Sequence, residues 1–204
     1  MKRLFLCNDQ PLSLIVLAGG KSRRMRKNKA LLPTPEGTII ERIINQLKDG
    51  FDEIIVSIHK EKDYKFLPYK LVRDEKPGQG PMMGIKSALS SSSHLKNFVI
   101  ACDIPDIKIS FLEKMIQKAA QNEIVIARSP NHRKEPLFGI YSKSVLPRMD
   151  KLLRSGKFSL LPLFEICQTL EMEISDSGWF KNLNTLNEYK KFLREINGKK
   201  SAKH

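Results

Sequence analysis

The chain has 204 residues, 41% of them apolar, and carries 36 lysines and arginines against 22 acidic residues, a formal net charge of +14. That length supports one substantial core, the apolar content excludes a disordered chain, and no apolar run approaches the ~18 residues of a membrane-crossing helix. The charge calls for an anionic partner, whether nucleic acid, a phosphorylated substrate or an acidic protein, without choosing among them.

The opening stretch MKRLFLCNDQP begins like a secretion signal, but its apolar segment is short and Asn8, Asp9 and Gln10 interrupt it, so a cytoplasmic protein is expected. Residues 12–18 form a continuous apolar run stopped by Gly19 and Gly20, the pattern of a buried parallel strand. Residues 38–49 place Ile39, Ile40, Ile43, Ile44 and Leu47 at helical spacing, with Thr38 and Glu41 spaced as a capping box and Gly50 closing the helix. Strands are predicted at 53–58 and 69–74, a helix at 80–92, a central strand at 98–107 ending in two aspartates, a helix at 110–121 and a strand at 123–128. Strands alternating with helices imply βαβ units and a parallel sheet. There follow a segment at 136–143, helices at 144–155 and 158–167, segments at 171–175 and 179–185, a last helix over about 186–197 and a solvated tail at 198–204. Cys7, Cys102 and Cys167 are far apart with no CxxC, which argues against a disulfide framework or a zinc site.

Open α/β sheets bind ligands outside the carboxyl ends of their strands. Three features fall there: the glycine-basic loop after the first strand, Asp74 after the third, and Cys102-Asp103 after the fourth. The loop, LAGGKSRRMRKNKALL at 17–32, is not a Walker A motif, because Ile15 stands where that motif needs its first glycine. GQGPMMG at 78–84 has the wrong spacing for a dinucleotide fingerprint. Gly19 and Gly20 suit exposed backbone N–H groups facing an anion, and Arg23, Arg24 and Lys29 add charge that grips phosphate. A tight turn leading into a solvated basic loop fits the composition equally well. His59, His94, His132 and His204 share no ligand spacing.

This loop resembles the signature L-x-G-G-x-S-x-R-M-G-x-D-K-x-L of the nucleotidyltransferases related to molybdenum cofactor guanylyltransferase. VRDEKPGQGPMMGIKSAL is similar to that family's aspartate followed by G-P-L-x-G-I, and FVIACDIPDI to its strand ending in C-D-x-P. EPLFGIYSKSVLPRMDKLLRSGKFSLLPLFE resembles its later strand and helices, and FKNLNT its terminal F-x-N-x-N-T. The five motifs keep their order over almost the whole chain. Arg26 stands where the loop usually has glycine and Asn28 where it usually has aspartate, so a role needing a carboxylate at 28 does not carry over.

The resemblance implies a Rossmann-like α/β fold of the nucleotide-diphospho-sugar transferase type, with a mostly parallel central sheet flanked by helices. It implies one domain over 1–197, with a nucleotide-binding half at about 12–128 and an acceptor-binding half at about 129–197. The implied reaction moves GMP from GTP onto the phosphate of molybdopterin (the molybdenum cofactor), releasing pyrophosphate, with Mg²⁺ as cofactor. The acceptor phosphate is already a nucleophile, so catalysis would rest on positioning and charge neutralisation. By the same resemblance Leu17, Ala18, Gly19 and Gly20 line the nucleotide, Arg24 and Lys29 meet its phosphates, and Ser57 and Asp74 contact it. Asp103 would hold Mg²⁺ and substrate, sharing the catalytic roles with Lys29, and Asn182 and Asn184 would serve the pterin or metal side. Arg128 and Arg133 suit the acceptor phosphate or plain solvation, and Trp179 a pterin stack or a core edge. Asp106 reads as a turn residue, and Met82 and Met83 as packing.

GTP and molybdopterin are the expected partners, with transient contact to proteins that deliver or accept the cofactor, and with no nucleic acid and no membrane. The nearest alternative is a cytidylyl- or sugar-1-phosphate nucleotidyltransferase of the same fold; LAGG resembles the guanylyl branch, whereas the cytidylyl branch tends to AAG. A non-catalytic nucleotide- or nucleic-acid-binding protein is the alternative from another class, although no helix-turn-helix, zinc or RNA-recognition signature is present.

Overall fold

The computed structural model describes residues 10–19, 28–175 and 178–201, the last three by backbone only. In chain order the elements are β1 (Leu12–Leu17), a small hairpin of β2 (Pro33–Thr34) and β3 (Gly37–Thr38), α1 (Ile39–Leu47), β4 (Glu53–Ile58), β5 (Lys70–Arg73), α2 (Gly80–Ser91) and β6 (Lys96–Ala101). There follow α3 (Ile109–Ala119), β7 (Ile124–Arg128), β8 (Lys134–Ser142), α4 (Leu146–Arg154), α5 (Leu161–Ile166), β9 (Thr169–Glu173) and α6 (Leu186–Ser201). Seven strands form one sheet in the order β5-β4-β1-β6-β8-β7-β9. All its pairs are parallel except those of β8, which runs antiparallel to both β6 and β7.

The apolar runs become strands because both faces of the sheet are covered. Successive residues of β1 alternate between two cores. Leu14 and Val16 pack with Phe98 and Ile100 beneath α1, α3 and α6, while Ile15 packs with Val99 and Ile126 beneath α2, α4 and α5. Met82 and Met83 are buried in the second core, which fits their reading as packing. The helix at 39–47 starts at the expected box: Thr38 N–H donates to the Glu41 carboxylate at 2.7 Å and Glu41 N–H to the Thr38 hydroxyl at 3.4 Å. Asp106 is bound by the Arg42 guanidinium at 2.7 Å, a structural contact beside the turn it was assigned to.

Most boundaries shift by one to three residues, and two depart further. The central strand ends at Ala101, before both aspartates, because Ile104 N–H turns back to the Ala101 carbonyl at 3.2 Å and Pro105 has no donor to continue a ladder. The stretch from 198, expected as a tail, continues α6 as far as Ser201. Gly198 costs that helix only ~1 kcal/mol relative to alanine, and the lysines after it are good helix formers. Trp179 lies in an aromatic cluster, 5.8 Å from the ring centres of both Phe111 and Phe138 and 5.3 Å from that of Phe180. Its ring is engaged at the core edge. Among the described residues, no helix is long and apolar enough to cross a membrane.

Candidate active site

The carboxyl ends of β1, β4, β5 and β6 meet along one edge of the sheet, and the candidate residues gather there. Leu17 and Ala18 are tied in by their backbones: the Leu17 carbonyl accepts from Cys102 N–H at 3.3 Å, and Ala18 N–H donates to the Ser57 carbonyl at 2.8 Å. A Cβ on Gly19 would stand 3.4 Å from the carbonyl carbon of Ile58 and 3.5 Å from the nitrogen of His59. That glycine therefore packs against the end of β4. Gly20 and Arg24 lie outside the described residues, as do Arg23 and Arg26.

Asn28 caps a single 3-10 turn (Lys29–Leu31), its side-chain oxygen accepting Ala30 N–H at 3.2 Å. This turn presents Lys29. Its ammonium donates to Asn184 Oδ1 at 3.0 Å and stands 3.9 Å from Asp103 Oδ2. Three predicted residues from distant parts of the chain thus converge. The convergence is built from the far end: Leu183 N–H donates to the Asp103 carbonyl at 2.7 Å, and the Tyr189 hydroxyl donates to the Pro33 carbonyl at 2.6 Å. Thr185 caps α6 with Glu188, whose carboxylate accepts the N–H groups of Asn184 and Thr185, each at 2.7 Å. Burial alone would raise Glu188, but those bonds and the Lys29 charge hold it below the usual carboxylate range. Asn182 is half-buried on the same segment and, among the described residues, makes no hydrogen bond to Lys29 or Asp103.

Burial pushes the Asp103 carboxyl upward; Lys29, its own backbone N–H and Arg133 oppose this without cancelling it. An ionised Asp103 is therefore short of counter-charge, the condition in which a cation is welcome. A second carboxylate, which the sequence did not single out, lies close by. Burial pushes Glu135 upward, with the Asp103 charge adding to it against a hydrogen bond from Ser129 and the charge of Arg133. It lies at the start of β8, beyond the last β6–β8 pair at Ile100 and Phe138 and past a register shift in which β7 pairs Ile126 with Gly139 but Ala127 with Glu135. Arg128, by contrast, bonds Glu173 at 3.2 Å on the flank of the sheet.

A third group forms between β4, β5 and α2. Ser57 is 3% exposed, and Asp74 follows β5 half-buried. A Cβ on Gly84 would come within 3.3 Å of Asp74 Oδ1 and 3.4 Å of Ser57 Oγ, so glycine in α2 leaves room for both groups. Burial raises the Asp74 carboxyl, and His59 acts in the other direction.

A seven-stranded, mostly parallel sheet between two helical layers, with Lys29, Ser57, Asp74 and Asp103 gathered at its carboxyl edge, defines an open α/β protein of the class that binds ligands at its strand ends. Residues 14–165 match the MobA-like NTP transferase domain, and the chain belongs to that family. It is 36% identical over 196 residues to a protein of Clostridium perfringens (strain 13 / Type A) named probable molybdenum cofactor guanylyltransferase, covering 90% of this chain and 96% of that one. The crystal structure of molybdopterin-guanine dinucleotide biosynthesis protein A from Archaeoglobus fulgidus superposes with a TM-score of 0.76 at 22% identity, over 92% of this chain and 99% of that one. A Mycobacterium tuberculosis protein solved in complex with manganese shares the fold, with a TM-score of 0.64 at 18% identity over 90% of this chain and 98% of that one.

Proposed function

We propose that the protein transfers GMP from GTP to the phosphate of molybdopterin, forming molybdopterin guanine dinucleotide and releasing pyrophosphate. The observation that carries this is the meeting of Lys29, Asp103 and Asn184 at the carboxyl ends of β1 and β6 in a chain of this family. An acceptor phosphate oxygen attacks the α-phosphorus of GTP, and the bond from that phosphorus to the bridging oxygen of pyrophosphate breaks. Lys29 faces the charge that gathers on the phosphate oxygens. Leu17, Ala18 and Gly19 lie along the triphosphate and ribose, Gly20 and Arg24 are assigned to the same ligand from the loop motif alone, and Ser57 and Asp74 meet the base. A carboxylate only accepts hydrogen bonds, which suits the N1–H and N2–H donors on the edge of guanine. Mg²⁺ fits Asp103, because this ion takes one or two carboxylates and completes its shell with water and phosphate oxygens. When bound it supplies charge neutralisation on the triphosphate. In this reading β1 to β7 form the nucleotide half and the segments from β8 to α6 the acceptor half, with Arg133, Glu135, Asn182 and Asn184 facing the pterin. The setting is the cytoplasm, in keeping with the free thiols of Cys102 and Cys167.

GTP with Mg²⁺ should raise the melting temperature more than CTP, ATP or UTP does. At ~100 times its dissociation constant a ligand adds ~2.7 kcal/mol of stability. An equal or larger shift with CTP would move the assignment to a cytidylyltransferase.

The upward-shifted Asp74 gives this binding a pH signature. Guanine needs the carboxylate, so GTP affinity should fall as pH drops through the raised value, earlier than an ordinary aspartate would allow. In the free protein the sign reverses: an acid whose folded value is raised costs stability once ionised, and the protein regains that stability as pH falls. Titrating GTP binding between neutral and mildly acidic pH checks this, with Asp74→Asn as reference. A variant that retains the wild-type pH profile would remove Asp74 from the base site.

A further inference from the structure

Tyr64 is the most enclosed polar side chain at the mouth of the site that the transfer reaction leaves without a task. It is 1% exposed, and burial holds its hydroxyl at about 12 against the opposing bond from Asn28. The hydroxyl donates to the Ala18 carbonyl at 3.0 Å and accepts from Asn28 Nδ2 at 2.7 Å. Ala18 stands where the chain leaves β1 for the nucleotide loop, and Asn28 where it returns. Both ends of that loop therefore hang from one oxygen.

A phenol has a single proton. Once that proton points at Ala18, the hydroxyl can only accept from residue 28, so residue 28 must bring a donor. It must also bring an acceptor, because Ala30 N–H, in the turn that carries Lys29, bonds Asn28 Oδ1. An amide supplies both at once and a carboxylate supplies only the second. The two partners also fix which way the amide faces. The charge relation is local: Lys29 is the next residue, 3.0 Å from Asn184 and 3.9 Å from Asp103.

We propose that Tyr64 is a positioning residue, whose hydroxyl sets the span between the two ends of the nucleotide loop and through Asn28 aims Lys29 at the reacting phosphates. The asparagine at 28 follows from this anchor, since the site uses its N–H and not a charge. The assignment rests on the GMP-transfer reading.

The test compares Tyr64→Phe and Asn28→Asp with wild type in GMP transfer, each also combined with Lys29→Ala. Phenylalanine fills the same volume and removes one hydroxyl. Asn28 is only half-buried, so the aspartate variant folds even where the other fails. Each should lower kcat by about five- to tenfold, the scale of one neutral hydrogen bond, with KM for the acceptor unchanged. Lys29→Ala should then cost several-fold less in either background than in wild type, because an ammonium already out of place has less to lose. A merely structural tyrosine would lower the melting temperature and leave the Lys29 effect at full size, and that result overturns the anchor. Wild-type constants in both variants overturn it too, with GMP transfer by wild type leaving the reading of the reaction intact. A wild-type chain that neither binds GTP nor transfers GMP overturns both.

Discussion

Replacing Lys29 with alanine is expected to slow GMP transfer by on the order of ten- to several-hundred-fold, the scale of one lost charge-assisted contact to a developing phosphate charge. The 3-10 turn that holds the side chain is made by Asn28 and Ala30, so the backbone survives the change. Asn184 would lose its partner at 3.0 Å, and Asp103 its nearest described cation at 3.9 Å. Lys21 and Lys27 are neighbours in the same basic stretch and serve as controls. A general electrostatic attraction for anions would give all three alanine variants small, similar losses that fade at high salt. The measurement is kinetics of the three variants at two ionic strengths. Three equal, salt-screened losses would show that Lys29 meets no particular phosphate.

Asp103→Ala should remove more, about 10²–10³ in transfer rate or beyond, since it takes away the carboxylate best placed for the cation. The fold should persist or gain. The loop to α6 is held by the backbone carbonyl of Asp103, which alanine keeps. Burial raises the Asp103 carboxyl, so its ionised form weakens the empty protein at neutral pH, and alanine relieves that cost. A melting temperature equal to or above wild type together with lost transfer is the expected pair of results. A folded variant with near-normal transfer would take the carboxylate out of the reaction, and a large fall in melting temperature would make Asp103 a packing residue instead.

Much of the fold can be read from local pattern, because a strand buried on both faces needs an unbroken apolar run and an amphipathic helix needs its stripe. Ile15 and Ile40 declare themselves in this way. The direction of β8 does not. Its apolar residues look the same in either orientation, and what reverses it is the short turn at 129–133, where His132 takes a positive φ of 61°. The candidate site divides along the same line. Asp74 and Asp103 stand just past strands, and Lys29 closes the loop that follows β1, so motif and topology agree. Tyr64 lies in the polar stretch KEKDYKFLPYK, and nothing in that run signals that its ring turns inward beneath β1. Glu135 comes near enough to feel the Asp103 charge only through the pairing of β8 with its neighbours, register shift included, which neither strand carries alone. Asn184 was legible only as part of a family motif, because a contact with Lys29 across 155 residues leaves no local trace.

That separation has a consequence during synthesis. At ~5–20 residues per second a ribosome needs roughly 8–30 s to pass from Lys29 to Asn184. Until then Lys29 has no amide to hold it, and the segment that docks through Leu183 onto Asp103 does not yet exist. The nascent chain can gather β1, β4 and β6 while the meeting of Lys29, Asp103 and Asn184 is still incomplete. On the proposed reaction, competence would wait for the segment that carries Leu183 and Asn184, and a chain truncated before Leu183 would hold all seven strands of the sheet with an idle lysine.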